Sequence, residues 1–114
     1  IGYADERGHG DGEGCNVNVP LPPKANDAAF HSAIDKALAE ARSFGAEALV
    51  VALGYDSHRE DPLGMLDVST EAFRGIGERV RAAGLPTVVV QEGGYQISVI
   101  GDCMGKFLDG LLER

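Results

Sequence analysis

Two segments decide how this sequence is read: Ala48-Leu49-Val50-Val51-Ala52-Leu53-Gly54-Tyr55-Asp56 and Thr87-Val88-Val89-Val90-Gln91-Glu92-Gly93-Gly94-Tyr95. Each starts as a short, continuous apolar run, the pattern of a strand buried on both faces of a parallel sheet. Each then passes through glycine to a polar side chain. In open α/β sheets ligands bind beyond the carboxyl ends of the strands. A carboxylate at one strand end and a phenol after Gly-Gly at another can therefore share a crevice. The carboxylate suits a hard or borderline metal ion, and the phenol suits a carbonyl oxygen that gains negative charge during reaction.

The segments around these runs carry helical periods. Asn26 or Asp27 can cap a helix running to about Phe44. Phe30, Ile34, Ala37, Leu38, Ala41 and Phe44 share one stripe, and Gly45 supplies a stop. Ser69 or Thr70 caps a second helix to about Ala83, with Phe73, Ile76 and Val80 inward. A last helix, from about Ser98 to Leu112, carries Val99, Cys103, Met104, Phe107, Leu108 and Leu111 on its apolar face. Helix, strand, helix, strand, helix is the alternation of a parallel sheet with helices on both faces. The expected class is α/β, a three-layer αβα arrangement with a mainly parallel sheet.

Residues 1–26 are expected to differ from the alternating unit 27–114. Gly8-His9-Gly10-Asp11-Gly12-Glu13-Gly14 has no hydrophobic period and reads as a loop. Cys15 to Leu21 alternates polar and apolar residues, which is strand-like, and Pro20 places its end at an edge or exit. The glycine loop precedes a strand instead of following one and opening a helix, so it fails the context of a dinucleotide site. Asp11 and Glu13 do not match the twelve-residue calcium pattern.

Composition removes several classes of function. The 114 residues make one domain at most. A formal charge of -8 argues against a general nucleic-acid binder, which needs basic patches, and is compatible with neutral or cationic ligands. No run of about 18 apolar residues is present, so no membrane-crossing helix is expected. Cys15 and Cys103 show no metal spacing and no disulfide framework, and are expected to be buried or half-buried thiols. A cytoplasmic location is the default expectation.

Asp56 is the first candidate for chemistry. A carboxylate ending an apolar strand loses solvation unless something compensates: a divalent cation, a helix N-terminus, an arginine, or backbone amides of the next turn. His58, two residues on, has the look of a chelate partner, yet it sits in a charged loop where a histidine is usually solvated or hydrogen-bonded. Asp61, just before Pro62, reads as a turn or cap residue. Tyr95 follows paired glycines that let the main chain approach a ligand closely. Its phenol is either an oxyanion donor or an aromatic lid on the core.

Taken in order, these motifs resemble the C-terminal part of the zinc-dependent histone deacetylase superfamily, most of all its bacterial acetylpolyamine amidohydrolase branch. The resemblance runs through Gly2-Tyr3-Ala4-Asp5-Glu6, Gly14-Cys15-Asn16-Val17-Asn18-Val19-Pro20-Leu21-Pro22, Leu53-Gly54-Tyr55-Asp56-Ser57-His58, Asp61-Pro62-Leu63-Gly64 and Gln91-Glu92-Gly93-Gly94-Tyr95. It implies an arginase/deacetylase-like fold, with Asp56 as a Zn2+ ligand and Tyr95 as the catalytic phenol that polarises the amide carbonyl. Gly93 and Gly94 would line the acyl pocket and Leu63 the substrate tunnel, while His58 is not a ligand. The family's other two zinc ligands, in an Asp-x-His strand end, and its His-His pair precede the glycine loop. No His-His pair occurs here, and the one Asp-x-His is Asp56-Ser57-His58. With Ile1 first, the chain is expected to be the C-terminal portion of a longer zinc hydrolase. Its substrates would be acetylated polyamines or acetyl-lysine, and relatives of the polyamine branch suggest a homodimer. The rival expectation is a non-catalytic truncated chain or a module that binds a partner.

Overall fold

Asn26 starts the ordered alternation by accepting the Ala29 N–H on its side chain (3.1 Å). That bond satisfies one of the donors a helix start leaves free. Helix α1, Asp27–Phe44, follows and ends at Gly45, whose left-handed backbone (φ 81°) closes the last turn. Strand β1 is Leu49–Leu53, helix α2 Ala72–Ala82, strand β2 Thr87–Gln91 and helix α3 Ile97–Leu112. This computed structural model describes residues 2–114.

The two strands pair in parallel, from Leu49 opposite Thr87 to Leu53 opposite Gln91. Their carboxyl ends therefore lie side by side, and that adjacency positions the candidate site. Leu53, Tyr55, Val68, Phe73, Ile76, Val80, Cys103 and Phe107 form the buried core, with Val51 and Val89 packed against it. Burying a side chain such as Phe73 or Val80 contributes roughly 1.5–3 kcal/mol each. Helices α2 and α3 cross at glycine: a Cβ on Gly77 would overlap the Phe107 carbonyl oxygen, and one on Gly110 the Arg74 carbonyl oxygen. Only residues without a side chain allow that backbone approach.

The starts of α1 and α2 are latched together. Ser69 donates its N–H to Asp27 Oδ1 (2.7 Å) and its hydroxyl to Asp27 Oδ2 (2.6 Å). Its Oγ accepts the Ala72 N–H (3.2 Å), while the N-cap of α2 is Glu71 and gives no side-chain cap, so the expected capping by Ser69 or Thr70 is met only by this one bond ahead of the helix.

Three expectations need correction. The valine runs are buried on one face only, since Val50, Val88 and Val90 are 78%, 60% and 44% exposed. Among the described residues α2 and α3 cover one side of the strands, and nothing covers the other. Cys15 to Leu21 forms no strand. Its polar positions turn back on the preceding loop instead, Asn16 Nδ2 donating to the Glu6 carbonyl (2.9 Å) and Asn18 Nδ2 to the Tyr3 carbonyl (2.9 Å). A strand needs a ladder partner, and none of the described residues supplies one. Cys15 is exposed, whereas Cys103 is buried as expected. Within the glycine loop, Gly10–Gly12 makes one 3₁₀ turn. No helix of the described residues is long and apolar enough to cross a membrane.

Candidate active site at the paired strand ends

The β1–β2 ladder continues beyond the strands. Glu92 donates its N–H to the Leu53 carbonyl (2.9 Å), and Tyr55 donates to the Gly93 carbonyl (2.9 Å). These bonds bring the next residue, Asp56, against Gly93. A Cβ on Gly93 would stand 2.7 Å from Asp56 Oδ2, and one on Gly54 would stand 2.7 Å from Oδ1. The exposed Asp56 carboxylate thus rests in a cradle that only glycine leaves open.

Tyr55 anchors this edge to the core. Its ring is buried and tilts against Phe73 with centroids 5.6 Å apart. Burial also pushes its phenol up from the ordinary value of 10.0, so it stays protonated. Gly94 (φ +132°) lies over it, where a Cβ would come within 2.9 Å of the Tyr55 Cβ. Past that turn Tyr95 is 53% exposed, and Leu63 on the facing loop is 69% exposed.

Asp61 joins the two loops. Its Oδ1 accepts the N–H groups of Leu63 (2.9 Å) and Gly64 (3.0 Å), and its Oδ2 accepts the Tyr95 N–H (2.7 Å). Burial alone would raise its pKa. The N–H groups of Tyr95, Leu63, Gly64 and Gln96 outweigh that and hold the carboxyl below the usual carboxylate range. The turn role expected for Asp61 is present, but its reach to Tyr95 was not foreseen. An acid before Pro62 signals a local turn and carries no sign of a partner 34 residues away.

His58 is buried, and both ring nitrogens are engaged. Nδ1 accepts the Glu60 N–H (3.2 Å), so the proton sits on Nε2, which donates to Thr70 Oγ1 (3.0 Å). Neither nitrogen is free to bind a metal. Cys103 lies beyond Thr70, and burial pushes its thiol up, which makes it an inert core residue.

A hollow of about 390 Å³ opens beside Asp56, lined by Phe30, Gly54, Ser57, Gly64, Met65 and Leu66. The buried Ser57 Oγ has no hydrogen-bond partner among the described residues. A larger hollow, about 550 Å³, lies between the glycine loop and α1 and contains none of the candidate site residues. Asp56 offers a hard oxygen donor in an uncrowded cradle, which fits one ligand position of a divalent ion. Among the described residues no group of three or more His, Cys, Asp and Glu gathers to complete such a site.

Residues 1–111 match the histone deacetylase domain. The acetylpolyamine amidohydrolase of Burkholderia pseudomallei (strain 1710b) is 45% identical over 109 residues, covering 96% of this chain and 32% of the relative. Acetylpolyamine amidohydrolase 1 of Pseudomonas aeruginosa is 41% identical over 101 residues, 89% of this chain and 29% of the relative. The crystal structure of the acetylpolyamine aminohydrolase from Burkholderia pseudomallei superposes with a TM-score of 0.93 at 44% identity, over 97% of this chain and 32% of that one. The chain therefore spans about a third of the length of these relatives. By sequence and by fold, it belongs to the histone deacetylase domain family.

Proposed function

We propose that the full-length protein is a zinc-dependent amidohydrolase that removes acetyl or similar acyl groups from the amines of polyamines or lysine side chains. The observation that carries this reading is the juxtaposition at the paired strand ends. Asp56 lies in its glycine cradle against Gly93, and Tyr95 follows two residues on, its main chain held to the Asp61 loop. The relatives named as acetylpolyamine amidohydrolases support the substrate class. So does a net charge of -8, which favours a cationic amine.

Asp56 would hold the zinc together with ligands outside these 114 residues, and zinc bound there supplies Lewis acidity and an acidified water. The chain's own residues would do the rest. Tyr95 donates its phenolic proton in a hydrogen bond to the amide carbonyl oxygen. That bond strengthens as negative charge develops and so lowers the barrier more than it tightens substrate binding. Gly93 and Gly94 would line the acyl pocket, and Leu63 would give the approach an apolar wall. Histidines elsewhere in the protein would move the protons to and from water and the leaving amine.

The test is a pair of substitutions in the full-length protein. Tyr95→Phe should lower kcat by about 10²- to 10³-fold with KM little changed, the usual loss for one oxyanion donor. Its zinc content, measured by elemental analysis, should stay at the parent level. Asp56→Ala should lose zinc and activity together. Retention of near-normal kcat by Tyr95→Phe would return the tyrosine to a core lid.

A further inference from the structure

The stretch between β2 and α3 is held by little of its own. The last ladder bond is the one to the Gly93 carbonyl, and α3 begins only at Ile97, with no side-chain cap from Gln96. Gly94 between them adopts a left-handed φ of 132° and has no side chain to wedge it. Across the gap stands Asp61, buried at 7% exposure, with its Oδ2 2.7 Å from the Tyr95 nitrogen. The same carboxylate closes the Leu63–Gly64 turn with its other oxygen. Gly64 in turn lies against the Asp56 main chain, since a Cβ there would overlap the Asp56 carbonyl oxygen.

We infer that Asp61 is a positioning residue for Tyr95, clasping its main chain so that the phenol is fixed relative to the Asp56 cradle. This rests on the reading of Tyr95 as the oxyanion donor. A side chain half exposed on a glycine hinge would otherwise sample several positions, and a donor contributes to the barrier only while aimed at the developing charge. A carboxylate is the group for the task. It is acceptor-only, so both oxygens can receive N–H groups at once. An amide in its place turns one end into a donor facing an N–H.

The experiment uses the full-length protein with Asp61→Asn, alone and combined with Tyr95→Phe. Asp61→Asn alone should lower kcat by about 10- to 100-fold, with KM within about threefold and zinc content unchanged. Added to Tyr95→Phe, it should lower kcat by less than about threefold more, because the group it positions is already gone. With 3-fluorotyrosine at position 95, the single fluorine NMR resonance of the parent should broaden or split in Asp61→Asn. Equal losses in both backgrounds, or an unchanged resonance, would overturn the clasp. If Tyr95→Phe alone kept full kcat, the catalytic role of Tyr95 would fall, and the fluorine signal would still judge the clasp. If Asp61→Asn does not fold, replacing the Tyr95 peptide N–H by an ester oxygen removes the same bond, and the same outcomes apply.

Discussion

Asp27 accepts both hydrogen bonds that Ser69 can give it, and this pins the first turn of α1 to the approach of α2. Burial opposes its ionisation, but the Ser69 hydroxyl and N–H, with the charges of Arg59 and His31, more than offset that and lower its pKa from 3.8. A carboxyl whose pKa is lower folded than unfolded adds stability above the unfolded value, and that stability is lost as pH falls through the folded one. Asp27→Asn in the full-length protein should therefore be less stable than the parent near neutral pH. The gap should close as pH falls below about 4, where the parent carboxylate also takes up a proton. Urea unfolding at several pH values measures it, and a gap independent of pH would show that the ionised form is not the source. Sequence reading singled out Asp56 and Tyr95 because an apolar run followed by glycine and a polar side chain leaves a local mark, while Gly93, Gly94 and Leu63 entered as lining residues only through the family resemblance. It could not locate the Asp61–Tyr95 or Asp27–Ser69 bonds, which join residues 34 and 42 positions apart.

Helices α2 and α3 show how elements meet through what their residues lack. Gly77 and Gly110 stand where each helix touches the other's main chain. Glycine inside a helix normally costs about 0.5–1 kcal/mol relative to alanine. Here the steric term runs the other way and is larger, since overpacking a filled contact typically costs about 1–3 kcal/mol. Gly77→Ala should therefore destabilise the full-length protein by about 1–2 kcal/mol, the larger effect less the smaller. Gly105→Ala, in α3 with no neighbouring atom within 4 Å, should be neutral or stabilising. Denaturant midpoints of the two variants decide the matter, and a shared sign would mean that propensity and not packing governs both. The three helices and two strands were legible because apolar period and caps are properties of one segment. Cys15–Leu21 was misread because pairing is a property of two. Its alternation meets the pattern of a strand, yet Asn16 and Asn18 found partners in the loop behind them.

The two paired strands carry the candidate site at their carboxyl ends and leave one face of the sheet open. Val50, Val88 and Val90 project from the side that α2 and α3 do not cover. The relatives extend over about three times the matched length. The fold class was legible because a strand advertises itself locally; a three-ligand metal site would have to be assembled from distant segments, and no such group gathers among the described residues. The energetic consequence is direct. Zinc affinity comes from several deprotonated ligands acting together on one ion, and a single carboxylate in water competes poorly with hydration. The 114-residue chain expressed by itself should accordingly retain far less than one zinc per chain after dialysis, and should release no measurable acetate from acetylated polyamines or acetyl-lysine peptides. Elemental analysis and an acetate assay test this, with the full-length protein as the positive control. Stoichiometric zinc on the isolated chain would mean that residues other than Asp56 complete a site within it. Turnover without zinc would sink the assignment of Asp56 altogether, because the role proposed for Tyr95, stabilising charge on a carbonyl, supplies no nucleophile.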